Sequence, residues 1–360
     1  MPMKTKTRLA ALLALSVCVL GPVRAGLVYY LPFDQSGSAS LSNLGSQAGT
    51  ATAVDGPGSG AYVPSSTTSV LSAIGGTHAW QFTGNGSSAG AVVLPDSTSQ
   101  FSQSSSSAGM TLSTWVYWNG ALASGQFSGI ANKLVSSSKS GWGLSITDAG
   151  ELRFEYGTGT ALNNRKSAVG AITTGQWVNV VVTWNAGSTS ALNFYVNGAS
   201  TPPTTTFTGS GVLGANTESI RLGATSSTMY NSLNGSLDDF AMWDSVLTAA
   251  QARALSTAPT ALTGYNASVM NQLFNVAAGS ISSATIDGLT WTSITGLDVS
   301  GRTLGDTWTD GGDYFIWLSG SGGSAAGLIA SAIPEPGSFA LLAGLAGLAF
   351  VSTRRRRRVS

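Results

Sequence analysis

The sequence predicts an all-β sandwich, and three observations lead there. Short apolar or alternating segments recur from residue 27 to about 258, each bounded by Gly, Ser, Asn or Thr. Helical periodicity appears only at TAAQARALS (248–256), so no βαβ alternation supports a doubly wound nucleotide fold. Charged residues are 9% of the chain, against about 25% in an average soluble domain. Glycine accounts for 46 of 360 residues. That composition fits an extracellular β protein better than a cytosolic enzyme.

The elements follow in order. LVYYLPF (27–33), HAWQF (78–82) and AVVLP (91–95) are apolar runs closed by turn residues. MTLSTWVYW (110–118) alternates: Met110, Leu112, Thr114 and Val116 take one face, Thr111, Ser113, Trp115 and Tyr117 the other. GWGLSIT (141–147) and ELRFEY (151–156) flank Asp148-Ala149-Gly150, a hairpin turn. WVNVVVTW (177–184) and ALNFYV (191–196) form a second hairpin, with Asn197-Gly198 turning the chain again. SIRLG (219–223) and SLDDFAMWD (236–244) complete the set, with Asn234-Gly235 at the entry to the last strand. Thr248 is the expected N-cap of the helical segment. Trp177, Trp184 and Phe194 are expected in the core. Beyond residue 258, TIDGLTWTSI (285–294) and DYFIWLSG (313–320) read as strands and SGSGGSAAG (319–327) as a flexible linker. The expected organisation is a leader at 1–25, a sandwich at 26–258, a small β extension with linker at 259–331, and a sorting tail at 332–360.

The ends are basic and the body is acidic. Lys4, Lys6 and Arg8 precede a 12-residue apolar core (9–20), and Val23 and Ala25 suit a cleavage site, which together read as a secretory signal. Removing it takes Cys18, the single cysteine, so the mature chain has no disulfide and no thiolate metal site. Between the ends lie eight basic and fifteen acidic residues, a balance of −7. A nucleic-acid binder needs a basic face on its body, so no nucleic-acid partner is expected.

Several of these segments together resemble the laminin-G-like, or concanavalin A-like, domains. The segments are YYLPFDQSG, MTLSTWVYW, GQWVNVVVTWNAGSTSALNFYVNG and SIRLGATSS…LNGSLDDFAMWDSVLTAAQARAL, covering roughly 26–258. The resemblance implies a jelly-roll of two antiparallel sheets that binds glycan or a surface protein, often with calcium. Asp34 and Asp238 match the family's metal-binding aspartates and are the expected calcium ligands. Thr83 and Asn197 stand where many relatives have aspartate. Exposed aromatics suit sugar stacking, and Trp115, Tyr117, Trp142 and Tyr156 are the expected ligand contacts.

Catalysis finds little support. Glu151 and Glu155 share a strand face and form the best carboxyl pair for glycosidase chemistry, but Arg153 lies between them and the Glu-x-Asp-x-x-Glu pattern is missing. They read as a solvated face, and a polysaccharide hydrolase or lyase is the alternative function. Gly86-Ser87-Ser88-Ala89-Gly90 matches a nucleophile motif only as chance allows in a Ser- and Gly-rich chain. His78 is the one histidine and opens a strand. No catalytic residue is assigned.

The chain ends AIPEPGSFALLAGLAGLAFVSTRRRRRVS. Residues 338–353 would make a transmembrane helix of about 24 Å, short of the roughly 30 Å hydrocarbon core. This arrangement closely resembles the PEP-CTERM sorting signal of Gram-negative bacteria. Pro334, Glu335 and Pro336 match its motif, followed by the apolar helix and Arg354, Arg355, Arg356, Arg357 and Arg358. The resemblance implies an exosortase-type membrane protease as partner and transient residence in the inner membrane. Delivery to the outer surface or extracellular matrix, often beside exopolysaccharide, would follow.

Overall fold

A computed structural model describes residues 26–34, 40–54, 61–64, 78–84, 90–95, 97–98, 101, 109–120, 122–185, 192–204, 213–225, 231–256, 284–286, 289–310 and 313–332. The leader, the PEP motif, the apolar tail helix and the arginine cluster lie outside these residues. No helix among the described residues is long and apolar enough to cross a membrane.

Two antiparallel sheets form the sandwich. Sheet A contains β4 (Ala61–Pro64), β5 (His78–Thr83), β7 (Gly109–Trp118), β12 (Trp177–Asn185), β13 (Leu192–Val196), β14 (Ala199–Thr201) and β16 (Asn234–Trp243), with β1 (Leu27–Leu31) paired to β16. Sheet B runs in the order β11 (Leu162–Lys166), β10 (Leu152–Thr158), β9 (Ser140–Thr147), β8 (Phe127–Asn132), β15 (Arg221–Leu222), β6 (Ala91–Val93), β3 (Thr50–Val54) and β2 (Ser40–Ser42). Their facing sides share one apolar core, to which β7 sends Met110, Leu112 and Val116 as its alternation predicts. Trp184 and Phe194 join it.

Local sequence sets the turns. Asn197 and Gly198 both have positive φ, +47° and +74°, the geometry of the tight turn joining β13 to β14. At β9–β10, Gly150 has φ +69° and its N–H bonds the Thr147 carbonyl at 2.9 Å. Helix α1 (Ala249–Ser256) opens on a capping box. The Gln251 N–H donates to Thr248 Oγ1 at 3.2 Å, and the Thr248 N–H donates to Gln251 Oε1 at 2.9 Å.

The C-terminal extension is a third, five-stranded sheet. Sheet C has the order β17 (Ala284–Ile286), β18 (Leu289–Thr295), β21 (Ala326–Ala332), β20 (Asp313–Ser319), β19 (Thr307–Asp310). It packs against the sandwich. Trp291, Ile316, Leu328 and Ala330 pack with Tyr30, Val181 and Trp243 of sheet A and with Leu255 of α1. The expected flexible linker at 319–327 is corrected. It holds a short 3-10 turn (Gly322–Ser324) and the start of β21, which lies between β18 and β20. Buried Leu328 and Ala330, just past the glycine- and serine-rich run, bring β21 into the sheet.

Candidate functional site: a groove across sheet B

The outer face of sheet B carries a groove of about 360 Å³, and a second hollow of about 270 Å³ shares Asn132, Leu134, Ser136 and Thr225 with it. Strand parity places its residues. Leu152, Phe154 and Tyr156 of β10 point into the core, so Arg153 and Glu155 point out. Register then aligns Glu155 with Gly143, Gly143 with Asn132, and Asn132 with Arg221, a row crossing four strands. Gly143 keeps the floor low. A Cβ there would meet Asn132 Oδ1 at 2.6 Å.

Two ion pairs stand on this row. Arg153 Nη1 is 2.7 Å from Glu155 Oε2, and the guanidinium carbon lies 4.4 Å from the centre of the Phe127 ring. At the other side Arg221 Nη1 is 3.1 Å from Glu218 Oε2. Beneath that wall Lys133 is fully buried. Its Nζ donates to the carbonyls of Ser97 at 3.0 Å, Thr98 at 3.1 Å, and Glu218. Burial pushes the Lys133 ammonium down to about 8, with the Glu218 carboxylate opposing the shift. The ammonium so ties the end of β6 to the segment leading into β15. The Asn216 amide adds a 2.9 Å bond to the Lys133 carbonyl.

The best carboxyl pair of the sequence is separated by its partners. Glu151 Oε2 receives Lys166 Nζ at 2.8 Å and Thr147 Oγ1 at 3.0 Å. Glu155 alone of the two lines the groove. Both are ion-paired and largely covered, with side-chain exposures of 13% and 18%, rather than fully solvated.

The four expected aromatic contacts do not meet. Trp142 and Tyr156 are 0% and 3% exposed and lie inside the sandwich core, where Trp142 stacks on Phe154 at 6.2 Å. They are corrected from ligand contacts to core residues, because their strand positions face sheet A. Trp115 and Tyr117 are half-buried on the outer face of sheet A, the opposite side of the sandwich from the groove. Trp177 is buried as expected, in a small cluster beside them, with its ring 5.6 Å from Tyr117.

The two expected calcium ligands lie at one junction in sheet A. β5 and β1 both pair with β16, β5 up to Leu237 and β1 from Phe240. Between them β16 has one extra residue relative to β7, a bulge at Asp238 and Asp239. Asp239 has φ +48°, and its Oδ1 accepts the Tyr30 hydroxyl at 2.8 Å. Asp238 Oδ1 accepts the Asp239 N–H at 2.9 Å, while its buried Oδ2 has no partner. Asp34 Oδ1 accepts the His78 N–H at 3.2 Å. Burial raises both bulge carboxyls, Asp239 to about 8 and Asp238 well above the usual range, and the charge of Asp34 adds to each. Among the described residues no three His, Cys, Asp or Glu side chains gather to hold a metal. Calcium takes about 6–8 oxygens from carboxylates, carbonyls and water, so Asp34 and Asp238 would supply only part of such a site.

Sequence reasoning missed Phe127, Asn132, Glu218 and Arg221 as groove residues. Strand alternation could have oriented Arg221, but its neighbours follow only from the strand order.

Residues 85–253, from before β6 into α1, match the family profile described as the concanavalin A-like lectin/glucanases superfamily (Laminin_G_3). No curated protein matches the sequence. Among solved structures, the binding domain of botulinum neurotoxin DC in complex with SialylT is similar at 14% identity and a TM-score of 0.44, over 64% of this chain and 50% of that one. This chain thus spans about half the length of that structure. A botulinum neurotoxin type C structure, whose cell entry is described as dependent on two ganglioside molecules, is similar at 12% identity and 0.45, over 84% and 78%. A Trypanosoma rangeli sialidase is similar at 16% and 0.39, over 63% and 32%. Identities and TM-scores this low leave function to be read from this chain's own residues.

Proposed function

We propose that the protein is an exported surface or matrix protein whose sandwich binds a glycan without cleaving it. The polar groove across sheet B carries this reading. It offers side-chain donors and acceptors on a fixed strand framework, in a hollow of about 360 Å³. The absence of catalysis is supported by the commitment of Glu151 to Lys166 and of Glu155 to Arg153. The test is binding of the full chain to a glycan array, with Ser136→Trp as the blocking variant. Ser136 is exposed at the groove wall, so the indole fills the groove without touching the core. Binding should weaken about tenfold or more, a loss of about 1.4 kcal/mol. Undiminished binding overturns the assignment of the groove.

Export belongs to the same proposal. The leader at 1–25 and the PEP motif, apolar helix and arginine cluster at 332–360 support passage through the inner membrane and processing by an exosortase-type protease. Replacing Arg354–Arg358 with alanine should leave the protein unprocessed, and normal surface delivery of that variant would count against it. Calcium at Asp34 and Asp238 is a separate proposal, supported by the unpartnered Oδ2 of Asp238.

A further inference from the structure

Every cation of the groove is already committed. Arg153 holds Glu155 at 2.7 Å with its guanidinium over Phe127. Arg221 holds Glu218 at 3.1 Å and donates to the Ser219 carbonyl at 3.3 Å. Lys133, next to Asn132 in the chain, is fully buried on three backbone carbonyls. We propose that the groove takes a neutral oligosaccharide laid across the strands and discriminates against glycans carrying carboxylate or sulfate. This inference rests on the glycan-binding reading of the same groove.

The chemistry of a hydroxyl fits a closed ion pair. Each pair presents a donor and an acceptor side by side, and a sugar hydroxyl both donates and accepts. Adjacent hydroxyls can bridge the pair without breaking it. An anionic group meets a different surface. It gains one guanidinium only by displacing a carboxylate, and it leaves that carboxylate close by as a like charge. The body of the chain, formally −7 by residue count and still acidic with Asp238 and Asp239 protonated, repels polyanions at longer range.

Register gives the ligand its length. Glu155 and Arg221 are on one row with Gly143 and Asn132 between them. Three interstrand spacings separate them, about 14 Å. Both pairs can be reached together only by an extended ligand. Phe127 is the one aromatic among the described lining residues, and the Arg153 guanidinium covers one face of it. Selectivity therefore rests on hydroxyl hydrogen bonds more than on ring stacking.

The experiment is calorimetric titration of the full chain with a neutral β-glucan oligosaccharide and with an oligouronate of equal length, at low and high salt. The neutral ligand should bind about tenfold tighter or better. Its Kd should change less than about twofold between the two salts, since no net charge is neutralised. Glu155→Gln and Glu218→Gln each free a guanidinium, so either should raise oligouronate affinity by about threefold or more and make it salt-sensitive. Circular dichroism confirms that both variants fold. Tighter, salt-sensitive oligouronate binding by the unaltered chain overturns the inference and leaves the glycan-binding function standing. Failure to bind either saccharide overturns both.

Discussion

Arg253 donates from Nε and Nη2 to a single oxygen of Asp306, Oδ1, at 2.9 and 2.8 Å. The bond joins α1, at the end of the sandwich, to the turn that starts β19 of sheet C. The other oxygen of Asp306 accepts the Thr303 N–H at 2.8 Å, so one carboxylate both closes its own turn and receives the helix. The approach is close: a Cβ on Gly305 would come within 2.7 Å of the Ala250 carbonyl.

That double duty predicts an asymmetry. Arg253→Ala removes one partly exposed ion pair and should cost about 1 kcal/mol or less. Asp306→Ala also leaves a turn N–H without its acceptor and should cost about 1 kcal/mol more. Trp291→Ala, in the apolar seam below, should cost about 3–5 kcal/mol. Denaturant melts of the three variants rank them. Equal, negligible losses at Asp306 and Trp291 would mean that sheet C docks only loosely.

The Asp238–Asp239 bulge predicts acid-side stability. Burial raises Asp239 from 3.8 to about 8, so the folded chain keeps a proton that the unfolded chain has released. Its contribution is fully present below about pH 4 and is lost as pH rises towards about 8, at up to about 1.4 kcal/mol per pH unit. Asp238 adds in the same direction. Asp239→Asn keeps a side chain that tolerates the positive φ and should flatten the fall in Tm between these limits. A profile unchanged by that substitution removes the idea. The same melts test calcium: a bound ion would raise Tm at pH 8, and a curve unmoved by chelator or by added calcium removes that proposal.

Legibility in the sequence followed the range of the interactions. The Asn197-Gly198 turn and the Thr248 N-cap were readable because each signal lies within four residues. The orientation of β7 was readable because polar and apolar residues alternate along it. β9 gave no such signal. All eight of its residues are buried, so nothing in the pattern marks Trp142 as inward-facing. The groove was least legible. Its row of Glu155, Gly143, Asn132 and Arg221 exists only because β15 inserts between β8 and β6, a pairing of distant segments. β21 was hidden by the glycine- and serine-rich run before it.

Lys133 links stability to the groove. Its ammonium satisfies three carbonyls on two segments, one of which carries Glu218 and Arg221. Lys133→Met preserves the stem but leaves those carbonyls without their shared donor, at a cost of about 2–4 kcal/mol. The readout beyond stability is position-specific. At temperatures where Lys133→Met remains folded, saccharide affinity should fall at the Arg221 end, so adding Glu218→Gln should have less effect than in the unaltered chain. Full additivity of the two substitutions would show that Lys133 does not position that wall.

Trp142 and Trp115 look alike in sequence, each in a strand and each a reasonable sugar platform, and they predict opposite phenotypes. Trp142 is fully buried between the sheets, stacked on Phe154. Trp142→Ala should cost about 3–5 kcal/mol by loss of apolar burial and the cavity left behind. Any loss of glycan binding should track the loss of folded protein. Trp115 is half-buried on sheet A, with its indole N–H buried and unpartnered. Its register neighbours Asn179 and Asp238 also hold unpartnered buried oxygens. Trp115→Phe removes the orphaned donor while keeping most of the ring, so it should cost less than about 1 kcal/mol. Saccharide affinity should stay within about twofold of the unaltered chain, because the groove lies on the other sheet. A folded Trp115→Phe variant that no longer binds saccharide would move the binding site from sheet B to sheet A.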